Sequence, residues 1–277
     1  MFNFMNEEKI LEPVEKIRPK YRFKNKFVIF FAVLLVLYFG FVNPRRVTPV
    51  LVYHSISDID NTLNVSPENF ERQMKFLKEN GYHVISLDEF IRYMREGKRY
   101  IPKTVVITFD DGYVNNYING YNVLLKYNMP ATIFLATGHI GKDKDYLTWD
   151  EIILMNKNKV SPGAHTRNHV YLPSLSDRQS LIDEIKGSRD DIKNNTGIDA
   201  LYFCYPTGGF TEEIKNIVKS AGYLGACTTN RGLDRFNKDI YEIKRVKVTN
   251  SDTTKPFHFR AKLSGFYNVF RSPRSGY

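Results

Sequence analysis

Thr104–Gly112 reads TVVITFDDG. Five β-branched residues followed by a phenylalanine favour an extended strand buried on both faces. The run stops at Asp110-Asp111-Gly112, so a buried strand delivers two adjacent carboxylates at its C-terminal end. Two like charges this close are costly unless a cation shares the site. A metal ion answers that cost, with one carboxylate as ligand and the other free to move protons. In isolation the same residues would also suit a surface turn.

Outward from this strand, short apolar runs alternate with amphipathic stretches. VTPVLVYH, YHVIS, ATIFLAT, VSPGAH, LYFCYP and YLGACTT read as strands. Between them lie helical patterns. Ser66 caps one helix, with Pro67 at its first position and Phe70, Met74 and Leu77 along one face. LDEFIRYMREG and VNNYINGYNVLLKYN supply two more. Ser176 is placed to open a long helix with Gln179 completing a capping box, and another helix starts near Thr211. Strand–helix alternation predicts an α/β fold of parallel strands with helices outside, as a barrel or a doubly wound sheet. In a barrel, chemistry collects at the C-terminal ends of the strands.

The polar motifs fall at such ends. His165-Thr166-Arg167-Asn168-His169 follows VSPGA, and two histidines at i and i+4 can share one helical face and chelate one metal. Together with Asp111 they offer two nitrogens and one oxygen and leave room for water and substrate, the pattern of a catalytic site. Phe203–Gly208 (FCYPTG) forces an irregular loop that can aim a backbone N–H into a cavity. His54, in Tyr53-His54-Ser55, closes the first strand. The remaining histidines of the six, His83, His139 and His258, read as structural.

Phe27–Val42 (FVIFFAVLLVLYFGFV) holds no charge over 16 residues, somewhat short of the ~20 that span a bilayer core. Lys26, Arg45 and Arg46 can snorkel to the interfaces. Lys16, Arg18, Lys20, Arg22, Lys24 and Lys26 precede the run, a bias that places the N-terminus in the cytoplasm and the rest outside. No small-x-small cleavage site follows, which argues against a removed signal peptide. The expected division is a cytoplasmic basic tail at 1–26, a transmembrane anchor at 27–42 and an extracellular domain at 43–277. The net charge of +10 is scattered and lacks a zinc-finger or RNA-binding signature, so no nucleic-acid partner is expected. Cys204 and Cys227 are too few for a disulfide framework and read as buried free thiols. The HExxH signature of metallopeptidases is absent.

TFDDG, HTRNH and FCYPTG, in this order, resemble the polysaccharide deacetylases with the NodB homology domain, carbohydrate esterase family 4. The resemblance spans roughly Val47 to Asn250. It implies a distorted barrel of seven or eight strands and a metal-dependent deacetylase, most simply a zinc enzyme, acting on an N-acetylated polysaccharide. It implies Asp110 as general base, with Asp111, His165 and His169 as metal ligands. The Tyr205 backbone N–H becomes an oxyanion donor, and Trp149, in LTWDEI, a wall of the substrate groove. Two departures stand out. An arginine common in the third motif is replaced by Cys204, and no leucine-x-histidine appears in the late stretch IKRVKVTNSD. The branch acting on poly-N-acetylglucosamine also lacks that late histidine and uses an early tyrosine-histidine pair. This makes His54 the leading general acid, with His258 in reserve. A non-catalytic polysaccharide-binding protein is the alternative.

Overall fold

The computed structural model describes residues 22–43, 46–59, 61–98, 100–229 and 239–268. The basic tail before Arg22, and Arg45, lie outside the described residues. The chain divides into two compact units, Met1–Pro44 and Arg45–Tyr277.

In the first unit, α1 (Arg22–Leu37) is 16 residues long, a rise of roughly 24 Å. A π-helical stretch, Tyr38–Val42, continues it. Among the described residues no helix is both long and apolar enough to cross a membrane. The span expected at 27–42 is therefore not one regular helix. The α-helix starts earlier, in the basic segment, and gives up α geometry for the last five apolar residues, where Gly40 weakens helix formation. Its large side chains, including Phe27, Phe31, Leu35 and Phe39, are exposed.

In the second unit, nine strands form one sheet, every pairing parallel. They are β1 (Val50–Tyr53), β4 (His83–Ile85), β5 (Thr104–Phe109), β6 (Ala131–Leu135), β7 (Val160–Ala164), β8 (Tyr202–Cys204), β9 (Gly225–Thr228), β10 (Ile243–Lys244) and β11 (Val246–Lys247). β2 (Ser55–Ile56) and β3 (Asn64–Val65) pair separately. The order runs β10-β9-β8-β7-β6-β5-β1-β11, with β4 also on β5. The first and last strands of that path are consecutive in the chain, separated only by Arg245, so the sheet comes round on itself into a nearly closed barrel. Counted as one strand broken at Arg245, β10 and β11 bring the total to the eight expected at most. Gly163 in β7 leaves room for the Phe134 ring, which would lie 2.5 Å from a Cβ placed there.

The helices are α2 (Pro67–Glu79), α3 (Leu87–Arg95), α4 (Asn122–Tyr127), α5 (Trp149–Lys157), α6 (Arg178–Thr196), α7 (Glu212–Ser220), α8 (Asn250–Thr254) and α9 (Pro256–Leu263). The α2 start is as predicted: the Asn69 N–H donates to Ser66 Oγ, and Phe70, Met74 and Leu77 are buried. α6 begins one residue later than expected. Asp177 is its cap, accepting from both the N–H and the Oγ of Ser180 at 2.8 Å. A carboxylate that takes two donors displaces Ser176 from that role. Part of the helix predicted before Met129 is π-helical, Asn116–Tyr121.

Alternation along β5 sorts two cores. Val105, Ile107 and Phe109 join the larger cluster with Phe70, Met74 and Leu77 of α2. Val106 joins Val50, Phe134, Cys204, Cys227 and Ile243. Residues from both ends and the middle of the sheet meet in that second cluster, which therefore fills the barrel interior. Helix α3 closes the N-terminal mouth: Leu87, Phe90 and Ile91 belong to the inner cluster, and Ile91 fills the space over Gly225, the first residue of β9. The opposite mouth, where the polar motifs emerge, stays open for chemistry.

Candidate metal centre

Period-two alternation carries the inner face of β5 from Val106 through Thr108 to Asp110. Asp110 is buried and meets Arg245, the residue at the barrel seam. The guanidinium grips both carboxylate oxygens at 2.6 Å, donates to Thr108 Oγ1 at 3.1 Å and reaches Cys204 Sγ at 2.9 Å. Burial alone would raise the Asp110 carboxyl, but the Arg245 charge overrides it and holds the group well below the usual carboxylate range. Arg245 was missed in the sequence. In IKRVKV it stands among two lysines with nothing in the spacing to set it apart. The signal available was Cys204: where the third motif lacks its arginine, the Arg245 guanidinium packs against the Cys204 sulfur at 2.9 Å.

The next residue, Asp111, adopts φ +73° and turns its carboxylate to the mouth. Its Oδ1 is buried and has no hydrogen-bond donor among the described residues. Instead His169 Nε2 lies 3.3 Å away and His165 Nε2 3.6 Å away. Four of the seven described non-glycine residues with positive φ are Asp111, Thr166, His169 and Thr207, all in the three motifs. Such backbone costs of order 1–3 kcal/mol per residue and persists where surrounding structure enforces it. The histidine pair does not share a helical face, as its spacing suggested. His165 directly follows β7 and His169 follows a non-helical loop whose reversed residues swing the second imidazole back to the first, ring centroids 4.8 Å apart.

That loop is clamped by α6. Glu184 accepts from the N–H groups of Arg167 and Asn168 at 2.9 and 3.0 Å and from Asn168 Nδ2 at 2.6 Å. Asp191, two turns on, takes the Arg167 guanidinium bidentately at 2.8 Å and the Thr137 hydroxyl at 2.8 Å. Gly187 stands between them, where a Cβ would lie 2.5 Å from Arg167 Cζ.

Among the described residues two clusters have the donors to hold a cation: Asp110, His165 and Cys204, or Asp111, His165 and His169. The first already contains the Arg245 guanidinium, and burial drives the Cys204 thiol well above its ordinary value, against the thiolate a metal needs. The second fits. Tetrahedral bonds of ~2.0–2.1 Å place neighbouring ligand atoms about 3.3 Å apart, close to the observed 3.3 and 3.6 Å. His165 Nδ1 is 2.6 Å from the Cys204 carbonyl, which assigns its proton to Nδ1 and leaves the Nε2 lone pair beside Asp111, where it would be free for a cation. Burial lowers the His165 pKa, keeping it neutral as a ligand must be. The Asp111 carboxylate 3.3 Å away raises that of His169.

His54 stands beside this pair, its Nε2 4.0 Å from Asp110 Oδ2. Its Nδ1 is buried without a partner among the described residues. Burial lowers its pKa against the upward pull of Asp110 and Asp111. His258 is exposed on α9, and no described contact joins it to the site. His139 stacks on Tyr146 at 4.7 Å, and Tyr146 meets Tyr113, two residues beyond Asp111.

One expectation is corrected. The Tyr205 N–H does not face the site: it donates to the Cys227 carbonyl at 3.0 Å, continuing the β8–β9 ladder, and its hydroxyl donates to Tyr241 O at 3.1 Å. A backbone donor already spent in the sheet cannot hold an oxyanion. Trp149 begins α5 and walls a separate cavity behind the histidine loop, a cavity lined by none of the three convergent ligands. Cys204 and Cys227 are free and buried, neighbours in register on β8 and β9.

The comparisons with known proteins agree with this geometry. A family model described as polysaccharide deacetylase matches residues 97–226. YxkH of Bacillus subtilis (strain 168), named for the same family, is 35% identical over 201 residues, 73% of this chain and 71% of its own length. A poly-beta-1,6-N-acetyl-D-glucosamine N-deacetylase of Staphylococcus aureus (strain MSSA476) is 26% identical over 213 residues, 73% of each chain. The Streptococcus pyogenes deacetylase PplD, solved with acetate, superposes with a TM-score of 0.72 at 25% identity, over 78% of this chain and 98% of its own. A parallel barrel with an Asp-His-His cluster at its open mouth, joined to these matches, makes the chain a member of the polysaccharide deacetylase family, the NodB-homology enzymes of carbohydrate esterase family 4.

Proposed function

We propose that this chain removes N-acetyl groups from N-acetylglucosamine units of a cell-surface polysaccharide, with one zinc ion held by Asp111, His165 and His169. The observation that carries the reading is the unsatisfied Asp111 Oδ1 with two imidazole Nε2 atoms 3.3 and 3.6 Å from it. A bound divalent ion would supply Lewis acidity, polarising the acetamido carbonyl and acidifying water.

The protein groups do the rest. Arg245 keeps Asp110 ionised, so the carboxylate is always ready to accept a proton from the attacking water. Pinned at both oxygens, it is also held in one orientation, and the ion pair makes it a weak base that gives the proton up again. His54, neutral in the resting site, stands 4.0 Å from Asp110. It takes that proton and delivers it to the amine nitrogen as the C–N bond breaks. Acetate and a free amino sugar are the products.

The early-histidine arrangement and the Staphylococcus aureus relative support poly-N-acetylglucosamine as the polymer. The charge-free run at 27–42, the excess of basic residues before it and its exposed apolar side chains support attachment to the membrane with the barrel outside. Acetate release from poly-β-1,6-N-acetylglucosamine, peptidoglycan and chitooligosaccharides, measured with zinc and after chelation, tests the reading. Zinc-dependent release from the first polymer is expected. No release from any of them would leave a polysaccharide-binding protein of the same fold.

A further inference from the structure

The pairing of β1 with β5 ends at Tyr53 and Phe109, and the Asp110 N–H closes it on the Tyr53 carbonyl at 3.0 Å. Beyond this point the two chains part. Asp111 turns at positive φ, and His54 leads directly into β2. The imidazole has no hydrogen-bonded orienter of its own, because its buried Nδ1 has no partner among the described residues. The backbone on either side must set its direction.

One edge of β2 is paired with the chain of β3: the Ser55 and Ser57 N–H groups donate to the Leu63 and Val65 carbonyls at 3.5 and 3.0 Å. Alternation turns the Ile56 N–H and C=O to the other edge. There two asparagine amides stand in for a strand. Asn115 Oδ1 accepts from the Ile56 N–H at 3.1 Å, and Asn119 Nδ2 donates to the Ile56 carbonyl at 2.7 Å. Asn115 Nδ2 also donates to Ser55 Oγ at 2.9 Å. Both asparagines belong to the segment that leaves Asp110 and Asp111: Asn115 caps the π-helical stretch Asn116–Tyr121, and Asn119 lies within it. The three bonds refasten the His54 segment to the Asp110 segment where the sheet stops doing so. We propose that Asn115 and Asn119 are positioning residues: acting through Ser55 and Ile56, they hold the His54 imidazole at its 4.0 Å distance from Asp110 for proton transfer. The inference rests on the deacetylase reading.

In the full-length, zinc-loaded protein, Asn115→Ala is expected to lower kcat on N-acetylglucosamine oligomers about 10²-fold, the cost of a misplacement near 1 Å. KM and zinc affinity should stay within about twofold of wild type. In a His54→Ala background the same substitution should change kcat less than about twofold. Asn115→Asp keeps the acceptor for the Ile56 N–H and can accept from the Ser55 hydroxyl, so it should recover most of the rate. If Asn115→Ala does not fold, Asn119→Ala, which removes one bond of the three, carries the same comparisons with a loss of about tenfold. A kcat within about threefold of wild type, an equal loss with and without His54, or a loss shared with zinc affinity would overturn the positioning role. Absence of acetate release from the wild type would instead overturn the deacetylase reading. The histidine ring signals in the proton–carbon NMR spectrum of the metal-free protein then decide: Asn115→Ala should shift or broaden those of His54 while His165 and His169 stay in place. An unmoved His54, or equal movement of all three, refutes the positioning role.

Discussion

Arg245 and Asp110 form an ion pair inside the barrel, with the Arg245 side chain fully buried. Removing one partner of such a pair leaves an uncompensated charge, at a cost of about 3–5 kcal/mol. Arg245→Met should lose that much in urea unfolding of the metal-free protein, and adding Asp110→Asn should recover most of it. The sign with pH follows from the depressed carboxyl. A folded pKa below the unfolded value contributes stability above ~3.9 and loses it as pH falls through the folded value. The gap between wild type and Arg245→Met should therefore be full at neutral pH and close only in strong acid. Asp110→Asn alone should lower kcat by about 10²–10⁴-fold while zinc still binds. A kcat within threefold of wild type would remove Asp110 from the chemistry. At this scale the sequence named the acidic pair and both histidines of the candidate metal site, because their chemistry is visible in their letters. It could not name Arg245, whose meaning depends on a strand break that brings it 2.6 Å from a residue 135 positions earlier.

The histidine loop owes its shape to α6. Glu184 and Asp191 hold it from one helix face, and Gly187 makes room for the Arg167 guanidinium. Glu184→Ala should weaken zinc binding about 10–100-fold, the usual cost of losing support around a ligand, with acetate release at saturating zinc much less affected. Competition titration against a chromogenic chelator reads this directly, and unchanged affinity would show that the loop holds itself. Gly187→Ala sets two effects against each other. Alanine favours the helix by up to ~1 kcal/mol, but its Cβ displaces a flexible guanidinium from Asp191. Thermal unfolding should therefore move little while zinc affinity falls. The element boundaries were legible where caps are strong, as at Ser66 and Thr211. They were less so where a neighbour caps better, as Asp177 does, or where positive φ replaces a helical turn, as at Thr166 and His169. Spacing specified that two histidines meet but not the backbone that brings them together.

Across the whole chain, alternation of strands and helices predicted parallel strands and left barrel and open sheet equally available. Closure is decided by β10 and β11, two residues each, too short to stand out as strands in IKRVKV. Membrane attachment, proposed from the apolar run at 27–42, predicts that the full chain sediments with lipid vesicles and a chain starting at Arg46 does not. Equal partition of the two would refute it. Which residues would hold a cation is tested by zinc K-edge X-ray absorption on the one-equivalent complex. The expected first shell contains nitrogen and oxygen only, at ~2.0–2.1 Å, with the scattering signature of two imidazoles. A sulfur at ~2.3 Å would put the metal on Cys204 instead and contradict the account.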